Sequence, residues 1–355
     1  MTDKKLKELE EKQLYEDEYN ELPPSDIVAF NELRSCADLL RLYTSNQLVI
    51  QPDFQRDVVW SNPDQTRFID SLTKQLPIPS MCISLDYKTD KRLIIDGLQR
   101  MTSIINFLSE DEWKLSNLDD IDENLAGKTV HTIKTKHREL YDRVLNVSIP
   151  ITVIRCDYSK PSHNEYLFTI FHRLNSGGLK LNNQEIRNCI YNGNFNTLLK
   201  ELSRRKNTKK LFGKKRRFAN EEMILRFFAF NTRLGEYNGR LSKFLNDYMF
   251  DKRSLTEEEL KDKDDFYSET VELIVKNIFD DSAVSSLGKT FLEGLLHGVS
   301  QNLEILKEKP PEDLKKLYQK FKSLEEYSVE SLKEGLSARE KVKERLQAAN
   351  KVFRA

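Results

Sequence analysis

Three short segments of this 355-residue chain bring arginine, carboxylate and amide side chains together with turn-forming residues. In the first segment, Asp53, Gln55 and Arg56 follow an apolar stretch and precede Trp60. The planar guanidinium of arginine matches a phosphate, and a neighbouring carboxylate can hold a metal ion or position a water molecule. A surface turn closed by an Asp–Arg pair would explain the same residues. Trp60 could stack on a base, although a core position is the stronger interpretation.

The second segment predicts a strand, a tight turn and a helix around Gly97. Glycine adopts backbone conformations that other residues resist, and Asp96 is predicted to cap the helix. Free N–H groups at a helix N-terminus attract anions, whereas Arg100 in the first turn opposes the helix dipole unless a negative group offsets its charge. Two interpretations stay open: a phosphate bound at this turn, or an ion pair between Arg100 and Asp96. We expect Arg100 to be exposed and to contribute little to folding.

The third segment predicts a helix end, a Gly-Gly loop and the start of a second helix. Asn182 and Glu185 have the spacing of a capping box, and Gln184, Arg187 and Asn188 share one face of the second helix. The backbone N–H groups of a glycine loop can bind an anion, but paired glycines are also a general turn signal.

Charge is distributed unevenly along the chain. Lysine plus arginine total 57 and aspartate plus glutamate total 57, so the formal net charge is zero. Basic residues cluster in 200–217 and acidic residues in 251–281, and such blocks are typical of solvated or interacting surfaces. An interrupted basic block is also the electrostatic signature of nucleic-acid binding. The predicted DNA-binding residues are Arg204, Arg205, Lys209, Lys210, Lys214, Lys215, Arg216 and Arg217.

The pattern of apolar residues predicts an α+β chain in which a mixed α/β domain precedes a helical one. Strands are predicted at 48–50, 81–85, 92–95 and 149–156. Ser61 is predicted to cap a helix that Pro77 ends, with Leu76 on its apolar face. We expect an acidic N-terminal arm at 1–28, an α/β domain at 29–180 and an all-helical domain at 181–355.

Composition argues against several classes of protein. No run of about 18 apolar residues exists, which excludes a transmembrane helix, and the N-terminus lacks the apolar core of a signal peptide. We therefore expect a cytoplasmic protein without a membrane partner. The four cysteines and five histidines are scattered along the chain, so a zinc site is not expected.

Taken in order, the three segments resemble the N-terminal domain family of the GmrSD-type restriction systems, also called domain of unknown function 262. The P-x-F-Q-R segment of that family is matched by Pro52, Phe54, Gln55 and Arg56. Its I-D-G-Q-Q-R hallmark is matched by Ile95, Asp96, Gly97, Gln99 and Arg100. A later segment that ends in Q-E-x-R-N is matched between Phe171 and Asn188. The resemblance spans residues 30–250.

This resemblance implies a fold related to the ParB and sulfiredoxin nucleotide-binding domains, hydrolysis of a nucleoside triphosphate at the hallmark, and a role in restricting modified phage DNA. Under this hypothesis Arg56, Arg100 and Arg173 contact phosphates. The predicted nucleotide site also includes Gln55, Gly97, Asn175, Gly177, Gly178 and Arg187. The predicted catalytic residues are Asp53 and Asp96, which position Mg²⁺ or water, Gln99, which orients the attacking water, and Glu185, which acts as a base.

Two departures from the family pattern qualify this expectation. Leu98 stands where the hallmark has its first glutamine, so hydrolysis is weakened if that glutamine positions water. Leu98→Gln should then raise turnover, unless the side chain points into the core, in which case the variant loses stability without gaining rate.

The second departure concerns the nuclease. After residue 185 the only histidine is His297, so the paired-histidine metal site of an HNH nuclease is not expected, and a nuclease would be a separate partner subunit. The alternative function is a non-hydrolysing, nucleotide-switched DNA-binding regulator or an interaction subunit. A homo-oligomer is compatible with either function.

Overall fold

The computed structural model describes residues 22–50, 60–174, 181–213, 218–284, 287–332 and 336–355. These residues form two units, one that ends at Leu181 and one that runs from Asn182 to Ala355. We call them the N-terminal unit and the C-terminal unit and describe each by itself.

Five strands of the N-terminal unit form one mixed sheet. They are β1 (Val28–Ser35), β2 (Leu48–Val49), β3 (Met81–Asp86), β4 (Lys91–Asp96) and β5 (Ser148–Cys156). Their order across the sheet is β1-β5-β3-β4-β2. β2 runs parallel to β4 and β3 parallel to β5, whereas the β3–β4 and β1–β5 pairs are antiparallel. The four predicted strands and the mixed α+β class are confirmed.

The sequence does not predict β1, and the environment of this strand explains why. β1 lies at an edge of the sheet, and most of its side chains, among them Val28, Phe30 and Leu33, are exposed. A strand with one buried face alternates apolar and polar residues. Because neither face of β1 is buried, that signal is missing.

Helices pack against the sheet and enclose the core of the N-terminal unit. They are α1 (Cys36–Thr44), α2 (Asn62–Thr73), α3 (Leu98–Ser109), α4 (Val130–Lys136), α5 (Arg138–Asn146) and α6 (Pro161–Leu174). The core includes one residue from each of α1, α2, α3, α5 and β5, namely Leu39, Ile69, Ile104, Val144 and Ile151.

The two ends of α2 show which local signals decide a helix boundary. Ser61 caps the helix as predicted, and its bonds with Asp64 form a capping box. The helix ends at Thr73, before Pro77, because Gln75 adopts a left-handed backbone with φ 54°. The N–H groups of Gln75 and Leu76 return to carbonyl groups of the last helical turn, as in a C-terminal capping motif. Leu76 therefore lies beyond the helix and is exposed, contrary to the prediction.

The described part of the C-terminal unit consists of helices and turns, with no strand among its described residues. The helices are α7 (Asn183–Ile190), α8 (Asn194–Arg204), α9 (Lys206–Phe212), α10 (Ala219–Arg233), α11 (Leu241–Lys252), α12 (Glu257–Leu273), α13 (Lys289–Ser300), α14 (Leu303–Lys307), α15 (Pro311–Lys322), α16 (Val329–Leu332) and α17 (Arg339–Arg354). A π-helical turn, Ile274–Ile278, follows α12.

Close packing around α13 depends on two glycines. A Cβ atom on Gly294 would lie 1.9 Å from the Tyr327 hydroxyl, and one on Gly298 would lie 2.6 Å from the Phe353 ring. Both distances are far below van der Waals contact, so only glycine allows α17 and the Tyr327 segment to approach α13 this closely. Within the described ranges, no helix is long and apolar enough to cross a membrane.

Candidate functional site

The strand, turn and helix predicted around Gly97 are present, since β4 ends at Asp96 and α3 begins at Leu98. Gly97 has φ 102°, and a Cβ atom there would lie 2.6 Å from Cγ of Met81. Glycine is therefore required by both the backbone and the close approach. Gly97 is also the N-cap residue. The prediction that Asp96 caps the helix is wrong, because the chain enters the helix one residue later.

Arg100 is held by the protein itself. Its guanidinium donates to Asp96 Oδ2 at 2.9 Å, to the carbonyl oxygen of Ser80 at 3.4 Å and to that of Pro79. The side chain is 13% exposed, so the expectation of an exposed arginine is wrong. Of the two interpretations of this turn, the Arg100–Asp96 ion pair is the one present in the structure.

The N-terminus of α3 is nevertheless suited to an anion. Its first turn contains no acidic residue, and no side chain of the described residues caps it. By contrast, α2, α7 and α12 each begin with a complete capping box that places an acid in the first turn. Unsatisfied N–H groups and the helix dipole both favour negative charge at such an end. Arg100 adds a cation beside it.

The carboxylate of Asp96 is available at the same turn. Its side chain is 41% exposed, and Oδ2 pairs with Arg100. Among the described residues, no group of three His, Cys, Asp or Glu side chains lies close enough to hold a metal ion. Because its carboxylate is partly exposed, Asp96 could supply one oxygen ligand to Mg²⁺. This cation accepts water and phosphate oxygens as its other ligands.

Asp53, Gln55 and Arg56 lie outside the described residues, but both flanks of their segment are known. β2 pairs in parallel with β4, with Val49 opposite Leu93, so the chain leaves β2 towards the sheet edge where α3 begins. The described chain resumes at Trp60, whose backbone N–H donates to Oε1 of Gln99 in the first turn of α3.

The indole of Trp60 packs against the core of the N-terminal unit. It is partly buried against the core, and its ring meets that of Phe68 edge to face at 5.6 Å. Leu98 is also partly buried and packs against the same core. Position 98 therefore faces apolar side chains.

Arg173 is the one candidate site residue of the third segment that the structure describes in the N-terminal unit. Asn175, Gly177 and Gly178 lie outside the described residues. Arg173, near the end of α6, lines a cavity of about 550 Å³ together with Leu22, Pro23, Tyr166, Thr169, Ile170 and Leu174.

The turn of the hallmark segment follows β4, within the stretch of the chain that runs from α1 to α7. Residues 36–192 match the family model described as GmrSD restriction endonuclease, N-terminal domain. This part of the chain is similar to the GmrSD N-terminal domain. The match confirms the resemblance predicted from the three segments, over a shorter stretch than the predicted 30–250. A comparison with curated proteins found no match.

The GmrSD match extends through α7, which carries Glu185 and Arg187 in the C-terminal unit. Glu185 completes the predicted capping box: its Oε2 accepts the Asn182 N–H at 2.6 Å. Arg187 is 1% exposed. Its guanidinium donates to Asn246 at 2.8 Å and to Ser242 at 3.0 Å, both on α11. The structure therefore gives Arg187 protein partners inside the C-terminal unit and gives Glu185 a capping bond.

A buried charged cluster that was not predicted from the sequence surrounds Arg187. Glu222 of α10 contacts Arg226 at 2.7 Å and Arg187 at 3.7 Å, and Arg226 also contacts Glu293 of α13 at 3.3 Å. Burial raises the pKa of Glu222, but the charges of Lys289, Arg226 and Arg187 outweigh it and lower that pKa to about 2. The i, i+4 spacing of Glu222 and Arg226 was the one available signal.

The basic block is partly neutralised by the acidic block. The Arg205 guanidinium forms a bidentate pair with Asp264 of α12 and donates to Ser268 at 2.6 Å. Lys210 contacts Asp281 at 2.7 Å. Arg204 and Lys209 are exposed. Lys214, Lys215, Arg216 and Arg217 lie outside the described residues.

Proposed function

We propose that this chain is the nucleotide-binding component of a DNA-restriction or phage-defence system, and that it hydrolyses a nucleoside triphosphate while acting on or sensing DNA. The observation that carries the proposal is the uncapped N-terminus of α3, with Arg100 and Asp96 beside it, inside the region similar to the GmrSD N-terminal domain. We further propose that residues 29–180 form a ParB/sulfiredoxin-like nucleotide-binding domain and that residues 181–355 form a helical domain.

The proposed site binds phosphate through the backbone N–H groups that follow Gly97, because a helix N-terminus attracts anions. A phosphate near Arg100 competes with Asp96 for the guanidinium. If Arg100 turns to the phosphate, the Asp96 carboxylate becomes free to bind Mg²⁺, an ion that prefers carboxylate, water and phosphate oxygens. The ion pair is thus the ligand-free arrangement of the same two groups.

The flanks of segment 51–59 support a contribution from Asp53, Gln55 and Arg56. Trp60, which follows the segment, donates its backbone N–H to Gln99 in the first turn of α3, and β2, which precedes the segment, runs parallel to β4, the strand that leads into that turn. A second arginine near this turn would stabilise the negative charge that develops during phosphoryl transfer. Arg173, Asn175, Gly177 and Gly178 complete the proposed phosphate-binding set.

We also propose that the exposed cations of 200–217 contact the phosphates of DNA, including modified phage DNA. A restriction system needs a nuclease, and we propose a separate partner subunit for it. We propose that this chain acts in the cytoplasm.

One observation favours the alternative function, a nucleotide-switched DNA-binding regulator that does not hydrolyse. Gln99 accepts the N–H of Trp60, and Leu98 packs against the core. Neither residue then offers a free amide to orient an attacking water, as phosphoryl hydrolysis commonly requires.

Phosphate release measured with each of the four NTPs, with and without DNA and Mg²⁺, tests the proposal. Calorimetric titration of a slowly hydrolysed analogue separates binding from turnover. Binding with turnover supports the NTPase, and binding without turnover supports the regulator. Absence of binding for all four nucleotides refutes both.

A further inference from the structure

A chain of side-chain amides holds the backbone of Trp60 from both sides. The Trp60 N–H donates to Oε1 of Gln99 at 3.3 Å, and the Trp60 carbonyl oxygen accepts from Nε2 of Gln65 at 3.2 Å. Oε1 of Gln65 in turn accepts from Nδ2 of Asn106 at 3.0 Å. Gln65 is buried, so water competes poorly for these bonds.

Both ends of this amide chain belong to α3. Gln99 and Asn106 are seven residues apart, which is about two helical turns, so they project from the same face of the helix. Gln65 reaches from α2 to join Asn106 to Trp60. The first turn of α3 and the backbone of Trp60 are therefore fixed to each other by side-chain hydrogen bonds.

We infer that Gln99 is a positioning residue, which fixes Trp60 at the first turn of α3 and does not orient the attacking water. Turning its amide towards a water molecule would leave the Trp60 N–H without this acceptor. The loss of one such bond typically changes an equilibrium by about three- to tenfold. The kinetic consequence of this inference rests on the proposed nucleotide site, whereas its structural consequence does not.

The structural consequence is tested by tryptophan emission without any nucleotide. The chain has two tryptophans, so Trp113→Phe leaves Trp60 as the only emitter. In that background, Gln99→Met and Gln65→Met should each shift the emission to longer wavelength. The double variant should shift no further than the larger single shift, because both bonds hold the same residue in place. Gln319→Met, on the exposed face of α15, is the matched control. Emission of Gln99→Met equal to that of the control overturns the inference.

The kinetic consequence is tested by phosphate release from the same variants with Trp113 intact. A positioning role predicts that Gln65→Met and Gln99→Met change the rate by a similar factor, about three- to tenfold. Loss of a water-orienting amide would instead lower kcat by about 10²-fold or more in Gln99→Met alone, and that result overturns the inference. If the unsubstituted protein binds no nucleotide, the proposed function fails, and the emission experiment still decides the role of Gln99. Melting temperatures of all variants identify any that fail to fold.

Discussion

The guanidinium of Arg100, in the first turn of helix α3, lies 2.9 Å from the carboxylate of Asp96, the last residue of β4. The same guanidinium contacts the carbonyl groups of Pro79 and Ser80, just before β3. Arg100 therefore joins the end of β4, the start of β3 and the first turn of α3. A residue proposed to bind phosphate also holds the local structure together, so its replacement affects both properties.

Arg100→Ala is expected to lower the free energy of unfolding by about 1–2 kcal/mol, because a largely buried charged donor loses three acceptors. The variant should also lose affinity for nucleotide. Urea unfolding and calorimetric titration measure the two effects. Arg41→Ala, which removes an exposed arginine from α1, serves as the control. Unchanged affinity would contradict the phosphate role, whatever the stability.

Gly97→Ala is expected to destabilise the protein by about 2–4 kcal/mol. The substitution combines a left-handed backbone with a Cβ atom placed against Met81. Gly235→Ala is a suitable control, since a Cβ atom there meets no neighbouring atom within 4 Å. Chemical unfolding followed by circular dichroism compares the two variants, and equal stability would show that the turn tolerates a side chain.

Leu98→Gln is expected to lower stability by about 1 kcal/mol and to leave turnover unchanged. The reason is that Leu98 packs against the core, where an amide loses apolar burial. Steady-state phosphate release and the melting temperature are measured together. A stable variant with faster release would mean that position 98 reaches the nucleotide, as the family hallmark implies.

Lys209→Ala and Arg205→Ala are expected to differ in their effect on DNA binding. Lys209 is exposed, whereas Arg205 is already paired with Asp264. Removal of a phosphate contact reduces the dependence of log affinity on log salt by about one unit. We expect that reduction for Lys209→Ala and a smaller one for Arg205→Ala. Fluorescence anisotropy with a labelled duplex over a salt series measures both slopes, and two unchanged slopes would exclude this surface as a DNA contact.

His297 makes stability depend on pH. Burial lowers the pKa of its imidazole to about 4, from an ordinary value of 6.5. Between those values the unfolded chain binds a proton that the folded protein does not, so stability falls as pH drops from about 6.5 to 4. His297→Gln should reduce the loss between pH 7 and pH 5 by at most about 2 kcal/mol. The exposed His131→Gln is the control, and an equal pH dependence in both variants would refute the assignment.

Local signals in the sequence predicted several elements and the residues at which some of them begin. The capping boxes at Ser61 and Asn182 predict where α2 and α7 begin, since a cap involves residues only a few positions apart. Gly97 likewise predicts a turn between a strand and a helix. The order of the three motifs was sufficient to predict the GmrSD resemblance that the family match confirms.

Tertiary structure decided which charges meet when the residues are distant in sequence. Arg100 and Arg187 are both predicted from the sequence to bind phosphate. In the structure, Arg100 pairs with Asp96 at the end of β4, whereas Arg187 is buried and bonds to Asn246 of α11. The ion pair of Arg205 with Asp264 and the bond of Gln99 to Trp60 also join residues distant in sequence. Side-chain type and spacing fix what a group can bind. Which partner it receives depends on how helices and strands pack, and that is decided by long-range burial rather than by local pattern.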